Sequence, residues 1–142
     1  MIAPLEKTFL EARRIGHLAT ADAGGVPHVV PVCYAVTATD AYITIDEKPK
    51  HGDITRMKRL RNIIANPNVA LVVDHYEEDW SRLGWVMLRG RAEILAAGTE
   101  HAAAQALLRA RYAQYRAMRL EELPVIAIRV TRATSWGRLA PT

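Results

Sequence analysis

The segment from Gly16 to Val36 constrains the fold most, because two β-rich runs are joined in it by a very short connection. It reads GHLATADAGGVPHVVPVCYAV, and the turn signal Ala23-Gly24-Gly25 separates the two runs. Glycines at this place are typical of a tight hairpin turn. Two strands joined by such a turn are antiparallel, which disfavours a doubly wound parallel sheet.

The remaining periodicity predicts more strands than helices. Apolar spacing indicates a helix in PLEKTFLEARR, a second helix capped by Asp53 and ended by Asn66-Pro67, and a third from Thr99 to about Met118. We predict the further strands at 41–45, 68–76, 85–97 and 124–136, with a bulge at Gly90. With about six strands and three helices, we expect a single domain over 1–142, a small antiparallel barrel with helices on its outside.

Composition places the chain among ordinary globular proteins, with 50% hydrophobic and 24% charged residues. The single cysteine, Cys33, cannot form an internal disulfide, so we expect a cytoplasmic protein. The N-terminal segment lacks the apolar run of a signal peptide, and nowhere do 18 apolar residues follow one another. We therefore predict no membrane association.

Common catalytic and metal-binding motifs are missing from the sequence. The five histidines show neither H-x-x-x-H nor H-E-x-x-H spacing, and neither G-x-S-x-G nor a P-loop is present. Cys33 has apolar neighbours, so we interpret it as a buried, inert thiol. We predict no metal site, and the sequence identifies no catalytic residue.

Pro31 lies inside the second predicted strand, where a proline is unusual. It has no N–H for a sheet ladder and therefore belongs at an edge or a bulge. One interpretation is that the backbone groups of Val30 and Val32 are left free to bind a ligand. The alternative, which the proline alone favours, is that it only protects a sheet edge from aggregation.

The segment from Lys48 to Arg61 is strongly basic, since six of its fourteen residues are Lys or Arg and only Asp53 is acidic. An apolar stripe of Ile54, Met57, Leu60 and Ile64 predicts one buried helix face, with Lys58 and Arg59 pointing away from it. A solvated helix face is the simplest interpretation. However, like charges three or four residues apart repel, and a bound phosphate would relieve this repulsion. The segment contains no aromatic residue, so nucleic-acid binding is disfavoured.

Five motifs follow one another in the order GHLATAD, PHVVPVCY, AYITID, KRLRNIIANPNVALVV and LRGRAEI. Together they closely resemble the pyridoxamine 5′-phosphate oxidase-like split β-barrel proteins. They resemble in particular the flavin/deazaflavin oxidoreductase branch that uses coenzyme F420. The resemblance implies a mainly β fold of the FMN-binding split-barrel type, with about six antiparallel strands, Greek-key connections and flanking helices. It also implies a homodimer with the cofactor between the two chains.

The resemblance also assigns a cofactor site. It implies that the basic pair Lys58 and Arg59 holds the cofactor phosphate and that Thr44 ends a strand lining the same site. Flavin-binding oxidases of the family carry Arg and Lys where this sequence has Val30 and Ala35, which favours F420 over FMN. The implied site residues are Val30, Pro31, Val32, Thr44, Lys50, Lys58, Arg59 and Arg61.

In this interpretation F420 exchanges a hydride with an unidentified small organic substrate, and backbone groups of Val30 and Val32 bind the deazaflavin carbonyls. His28 and Tyr34 are the candidate proton donors, and Trp80 and Trp85 either cover the substrate pocket or lie in the dimer interface. The alternative hypothesis is an FMN- or haem-binding oxidase or carrier with the same fold.

Overall fold

The computed structural model describes residues 1–45 and 57–141, and its centre is one seven-stranded sheet. The spatial order of the strands is β2-β1-β5-β6-β7-β4-β3, and each pair of neighbours is antiparallel. Their bounds are Gly16–Ala21 for β1, Pro27–Val32 for β2, Ala35–Val36 for β3, Asp40–Thr44 for β4, Asn68–His75 for β5, Gly84–Leu95 for β6 and Val125–Gly137 for β7. The sheet curls into a split barrel, as predicted.

The structure tests two predictions about the strands, namely their number and the bulge at Gly90. The sheet has one strand more than expected, because β3 contains only two residues and is too short to show periodicity. The bulge at Gly90 is confirmed, since the register between β6 and β7 shifts between Arg89 and Gly90. A Cβ at Gly90 would lie only 2.1 Å from the carbonyl oxygen of Arg129, so a side chain does not fit at this position.

In the described part of the chain three α-helices flank the sheet, and α1 is Pro4–Glu11, α2 is Lys58–Ala65 and α3 is Thr99–Arg111. The prediction that the third helix continues to Met118 is wrong, because Tyr112 is extended and short 3-10 turns follow it. The Tyr112 hydroxyl donates to the carbonyl oxygens of Arg14 and Tyr34 at 2.8 and 3.0 Å, and these tertiary contacts end the helix. None of the helices in residues 1–45 and 57–141 has the length and apolar character needed to cross a membrane.

The inward face of α2 differs from the predicted stripe. Leu60 and Ile63 are buried, whereas Ile64 is 62% exposed, so its prediction as a core residue is wrong. The predicted cap Asp53 and the stripe residue Ile54 lie outside the described residues. The buried amide of Asn62 accounts for the difference, because it rotates the inward face of the helix toward β1.

The core has two parts, one on each side of the curled sheet. The larger cluster fills the inside of the curl and includes Phe9, Leu18, Leu71, Leu88 and Ile128. The smaller cluster lies under α3 and includes Tyr42, Leu108, Tyr115, Leu120 and Val125. Each buried aliphatic side chain of this kind contributes roughly 1.5 to 3 kcal/mol to stability, so the two clusters fix α1 and α3 against opposite faces of the sheet.

Candidate functional site

A pocket of about 370 Å³ opens where the edge strand β2, the end of β4 and helix α2 meet. We call it the α2 pocket. Its lining residues are Ile15, Val30, Pro31, Val32, Cys33, Ile43, Thr44, Arg59 and Tyr115. A volume of this size is typical of sites for small molecules and cofactors.

The α2 pocket brings together five of the eight residues that the sequence predicted to bind a cofactor. These five are Val30, Pro31, Val32, Thr44 and Arg59. Lys58 and Arg61 are exposed on α2 and are not among the lining residues, and Lys50 lies outside the described residues.

Arg59 is the only charged side chain among the described residues that line the α2 pocket. The side chain is half-buried, and its Nε is fully buried with no hydrogen-bond partner among the described residues. A buried donor without an acceptor costs about 1 to 3 kcal/mol, more when it is charged. The guanidinium group of Arg59 still places a positive charge at the pocket wall, and an oxyanion is the ligand that such a charge binds, so the pocket fits a phosphate group.

Two asparagines of the KRLRNIIANP motif hold α2 in place. The amide of Asn62 donates to Thr20 Oγ1 at 3.0 Å, and both side chains are buried. The amide of Asn66 donates to the carbonyl oxygen of Asp22 at 3.3 Å. The motif therefore attaches the helix to the β1–β2 hairpin, and this attachment places Arg59 over the pocket.

Lys58 is not among the lining residues of the pocket, and its charge acts on Asp22 of the same hairpin. A hydrogen bond from the Val26 N–H lowers the pKa of Asp22, and the positive charge of Lys58 lowers it further. The two members of the basic pair therefore lie in different surroundings, and only Arg59 lines the pocket.

Asn62→Ala is expected to lower the free energy of unfolding by about 1 to 3 kcal/mol, because the buried Thr20 hydroxyl loses its donor. Urea denaturation of the variant measures this. Gln114→Ala is the matched control, since the Gln114 side chain is exposed and its replacement should change stability by less than about 0.5 kcal/mol. Equal stability of the two variants would contradict the role assigned to Asn62.

Thr44 is buried at the wall of the α2 pocket, and its hydroxyl is oriented by Gln105. The Gln105 amide nitrogen donates to Thr44 Oγ1 at 2.9 Å and to the carbonyl oxygens of Leu120 and Leu123 at 2.8 and 3.2 Å. Because carbonyl oxygens only accept, the amide must present its nitrogen to all three. Thr44 Oγ1 is thus an acceptor toward Gln105 and keeps its own proton for another acceptor, such as a ligand oxygen.

The strand register corrects the expectation that the backbone of Val30 and Val32 is free for a ligand. Pro31 faces His17 in the β1–β2 ladder, and neither Pro27 nor Pro31 can donate. Because the hydrogen-bonding direction alternates along a strand, the donors toward β1 come from Val30 and Val32. The free edge beside the pocket instead presents the carbonyl oxygen of Pro31.

Other candidates from the sequence do not lie in the α2 pocket. Tyr34 is wrong as a proton donor, because its hydroxyl donates to the carbonyl oxygen of Leu10 at 2.5 Å and burial raises its pKa. His28, Trp80 and Trp85 are not among the lining residues. Cys33 is half-buried at the pocket wall, which corrects its interpretation as a fully buried thiol.

Four lining residues were not predicted as site residues, namely Ile15, Cys33, Ile43 and Tyr115. Tyr115 reaches the pocket because α3 ends early and a 3-10 turn follows, and its ring packs edge-on against Tyr112 with centroids 5.5 Å apart. No local sequence signal marks this position.

The pocket combines one half-buried cation, one oriented hydroxyl and apolar walls. Such a site can hold an apolar ring system that carries a phosphate. Within residues 1–45 and 57–141, no group of three or more His, Cys, Asp or Glu side chains is arranged to hold a metal ion.

Comparison with known proteins gives a consistent result. A family model described as pyridoxamine 5′-phosphate oxidase matches residues 3–137. A curated relative, the 5a,11a-dehydrotetracycline/5a,11a-dehydrooxytetracycline reductase of Streptomyces rimosus, is 35% identical over 94 residues. The match covers 66% of this chain and 63% of the relative, so the chain spans less than two thirds of that protein's length.

Solved structures share the fold at low sequence identity. A conserved hypothetical protein from Mycobacterium tuberculosis has a TM-score of 0.76 at 20% identity, covering 96% of this chain and 86% of that one. A haem-binding protein from Mycobacterium smegmatis has a TM-score of 0.70 at 24% identity, and the match covers 96% of this chain and 56% of that one. A protein named F420 reductase has a TM-score of 0.64 at 24% identity, and the match covers 90% of this chain and 94% of that one.

Proposed function

This chain belongs to the pyridoxamine 5′-phosphate oxidase family, and on that premise we propose that it is an oxidoreductase that uses coenzyme F420. It exchanges a hydride between F420 and a small organic substrate. The observation that carries the proposal is the α2 pocket, in which the half-buried Arg59 is the one charged side chain described among mostly apolar lining residues. The reductase activity of the curated relative supports an oxidoreductase acting on a small molecule.

F420 is favoured over FMN by two positions next to the pocket. The side chain of Val30 packs against the core, and Ala35 is buried under α3. Flavin-binding oxidases of the family carry cations at these two positions, so this chain lacks two of the charges that would hold the FMN phosphate. A cofactor whose phosphate is held from α2 alone fits this chain better.

The chemistry that bound F420 supplies is hydride transfer at C5 of its ring. Arg59 binds the phosphate, and the exposed Lys58 and Arg61 attract the anionic tail. The Thr44 hydroxyl donates to a ligand oxygen, and the Pro31 carbonyl accepts from a ring N–H. The apolar side chains of Ile15, Val32 and Ile43 exclude water from the reacting face.

The same proposal includes a homodimer formed through the outer sheet face, by which we mean the outward side of β1, β5 and β6. Two shallow grooves lie on this face. The first is lined by His17, Val72, Asp74, Trp85 and Met87. The second is lined by Ala19, Thr20, Ala21, Pro27, Asn68, Val69, Ala70 and Arg89. Trp85 and Met87 alternate with the buried Val86 and Leu88, so they point away from the core. Aromatic and methionine side chains on an open sheet face are typical of subunit interfaces.

Met87→Arg is expected to convert the dimer into a monomer, because the charge would be desolvated at the centre of the interface. Size-exclusion chromatography with light scattering measures the mass of each variant. Leu107→Arg is the control, since Leu107 is an exposed apolar residue of α3 away from the outer sheet face. A dimeric Met87→Arg protein would contradict the proposed interface.

Titration of F420, FMN and haem, each followed by cofactor fluorescence or absorbance, tests the cofactor. We expect F420 to bind with a Kd on the order of micromolar and FMN at least about tenfold more weakly. Haem is the alternative cofactor, because the Mycobacterium smegmatis protein of similar fold binds haem. However, no histidine that could ligate the haem iron is among the described residues lining the α2 pocket. Tighter binding of FMN or haem than of F420 would overturn the assignment.

A further inference from the structure

A second cavity, of about 410 Å³, lies where the end of α1 meets the ends of β5 and β7. We call it the arginine pocket. Its described lining residues are Ala12, Arg13, His75, Glu77, Arg82, Arg138, Ala140 and Pro141, and none of them lines the α2 pocket. Among these described residues, three guanidinium groups share one concave site with one carboxylate.

Arg13 lines this cavity, and the N–H group at its Nε makes no hydrogen bond with the described residues. Its guanidinium carbon lies 4.3 Å from the centroid of the Phe9 ring, so the aromatic face fixes the plane of the group. Its Nε is buried and has no hydrogen-bond partner among the described residues. Arg13 forms no ion pair within residues 1–45 and 57–141, so its charge is available to attract an anion in the cavity.

Arg138 is brought beside Arg82 by the backbone. Its N–H donates to the carbonyl oxygen of Leu83 at 2.8 Å, and Leu83 directly follows the 3-10 turn that carries Arg82. Gly137 permits this approach, because its φ of 81° lies in the region that side chains disfavour and a Cβ there would be 2.2 Å from the same oxygen. Arg138 forms no ion pair within residues 1–45 and 57–141.

Glu77, the one carboxylate among the described lining residues of the cavity, is paired with His75. Glu77 Oε2 lies 2.7 Å from His75 Nε2, whereas Glu77 Oε1 lies 3.8 Å from Arg82 Nε. The nearest oxygen of Asp79 is 3.7 Å from the same nitrogen. Arg82 is therefore within ion-pair distance of both carboxylates, but both distances exceed that of a hydrogen bond, so its N–H groups can still donate to a ligand.

We infer that the arginine pocket binds a small organic oxyanion, with its carboxylate or phosphate group held by Arg13, Arg82 and Arg138. The planar fork of a guanidinium matches either group in two parallel hydrogen bonds. Among the described residues the three guanidinium charges outnumber the nearby carboxylates of Glu77 and Asp79, so an anion in the cavity would relieve the remaining repulsion. The apolar side chains of Ala12, Ala140 and Pro141 provide a wall for the carbon part of the ligand. The inference goes beyond the proposed cofactor and does not depend on it.

Isothermal titration of inorganic phosphate and of citrate into the full chain tests this inference, with sodium chloride at equal ionic strength as the reference. We expect saturable binding of at least one of the two anions, and the tighter one identifies the preferred group. Arg138→Gln and Arg82→Gln should each weaken that binding about tenfold or more. Arg138→Lys keeps the charge but loses the fork and should lie between the wild type and Arg138→Gln.

Arg119→Gln is the matched control, because the Arg119 side chain is 81% exposed and its ion pair with Glu122 is 3.8 Å long. Circular dichroism of each variant verifies that it is folded. A response no larger than that of chloride would overturn the inference. Loss of anion binding in Arg59→Gln, with binding intact in Arg138→Gln and Arg82→Gln, would also overturn it by placing the anion in the α2 pocket.

Discussion

Arg59→Gln is expected to weaken F420 binding by about tenfold to a hundredfold. The substitution removes the only charged side chain among the described lining residues of the α2 pocket, and with it a charge-assisted bond to phosphate of roughly 1.5 to 3 kcal/mol. Each 1.4 kcal/mol corresponds to a factor of ten in Kd. Fluorescence titration of F420 into the wild-type protein and the variant measures the change.

Two comparisons sharpen the Arg59 prediction. Arg119→Gln removes the same charge from an exposed position and should leave the Kd unchanged. Lys58→Gln should weaken binding less than Arg59→Gln does, because Lys58 is exposed and lies beside Asp22. An Arg59→Gln protein that binds F420 with wild-type affinity would remove the assignment of the phosphate site.

Gly90→Ala is expected to destabilise the protein by about 2 to 4 kcal/mol. The added Cβ would lie 2.1 Å from the carbonyl oxygen and 2.8 Å from the carbonyl carbon of Arg129, and both are backbone atoms of the longest strand. Relief of this overlap requires β6 and β7 to separate at the bulge, which disturbs the central pairing of the sheet. Denaturant unfolding measures the loss.

Gly24→Ala is the control for this substitution. A Cβ at Gly24 would meet only an oxygen of Asp22 at 3.4 Å, in the exposed turn of the hairpin. We expect its free energy of unfolding to stay within about 0.5 kcal/mol of the wild type. A Gly90→Ala protein as stable as the Gly24→Ala protein would show that the bulge tolerates a side chain.

Much of the fold was predictable because its signals are local. The Gly24-Gly25 turn fixes the first hairpin, and the run from Asn68 to His75 alternates between buried and outward residues as a strand does. The bulge at Gly90 was predicted because a glycine inside a strand often marks a bulge or a close approach of another backbone. These features depend on neighbours within about ten residues.

The end of the third helix could not be predicted from local sequence signals. Its periodicity continues past Arg111, but the helix stops there because Tyr112 turns to bond the carbonyl oxygens of Arg14 and Tyr34. These partners are 98 and 78 residues away in sequence. The early end in turn places Tyr115 at the α2 pocket, so one long-range contact explains both the wrong boundary and the missed site residue.

The candidate site was predicted in outline for a related reason. Pro31, Thr44 and Arg59 were selected by family resemblance, and they line one pocket because β2, β4 and α2 converge there. The roles of the two asparagines were not predicted, since a buried hydrogen bond such as that between Asn62 and Thr20 depends on how α2 packs on β1. The arginine pocket likewise assembles residues from positions 13, 82 and 138, which no sequence pattern connects.

Alkylation of Cys33 tests the central claim most directly, because this residue is the only cysteine of the chain and lines the α2 pocket. The rate of reaction with iodoacetamide is measured with increasing F420, and Cys33→Ser provides the blank. If F420 occupies the pocket, the rate falls with the same Kd as in the fluorescence titration. An unchanged alkylation rate at saturating F420 would contradict the account.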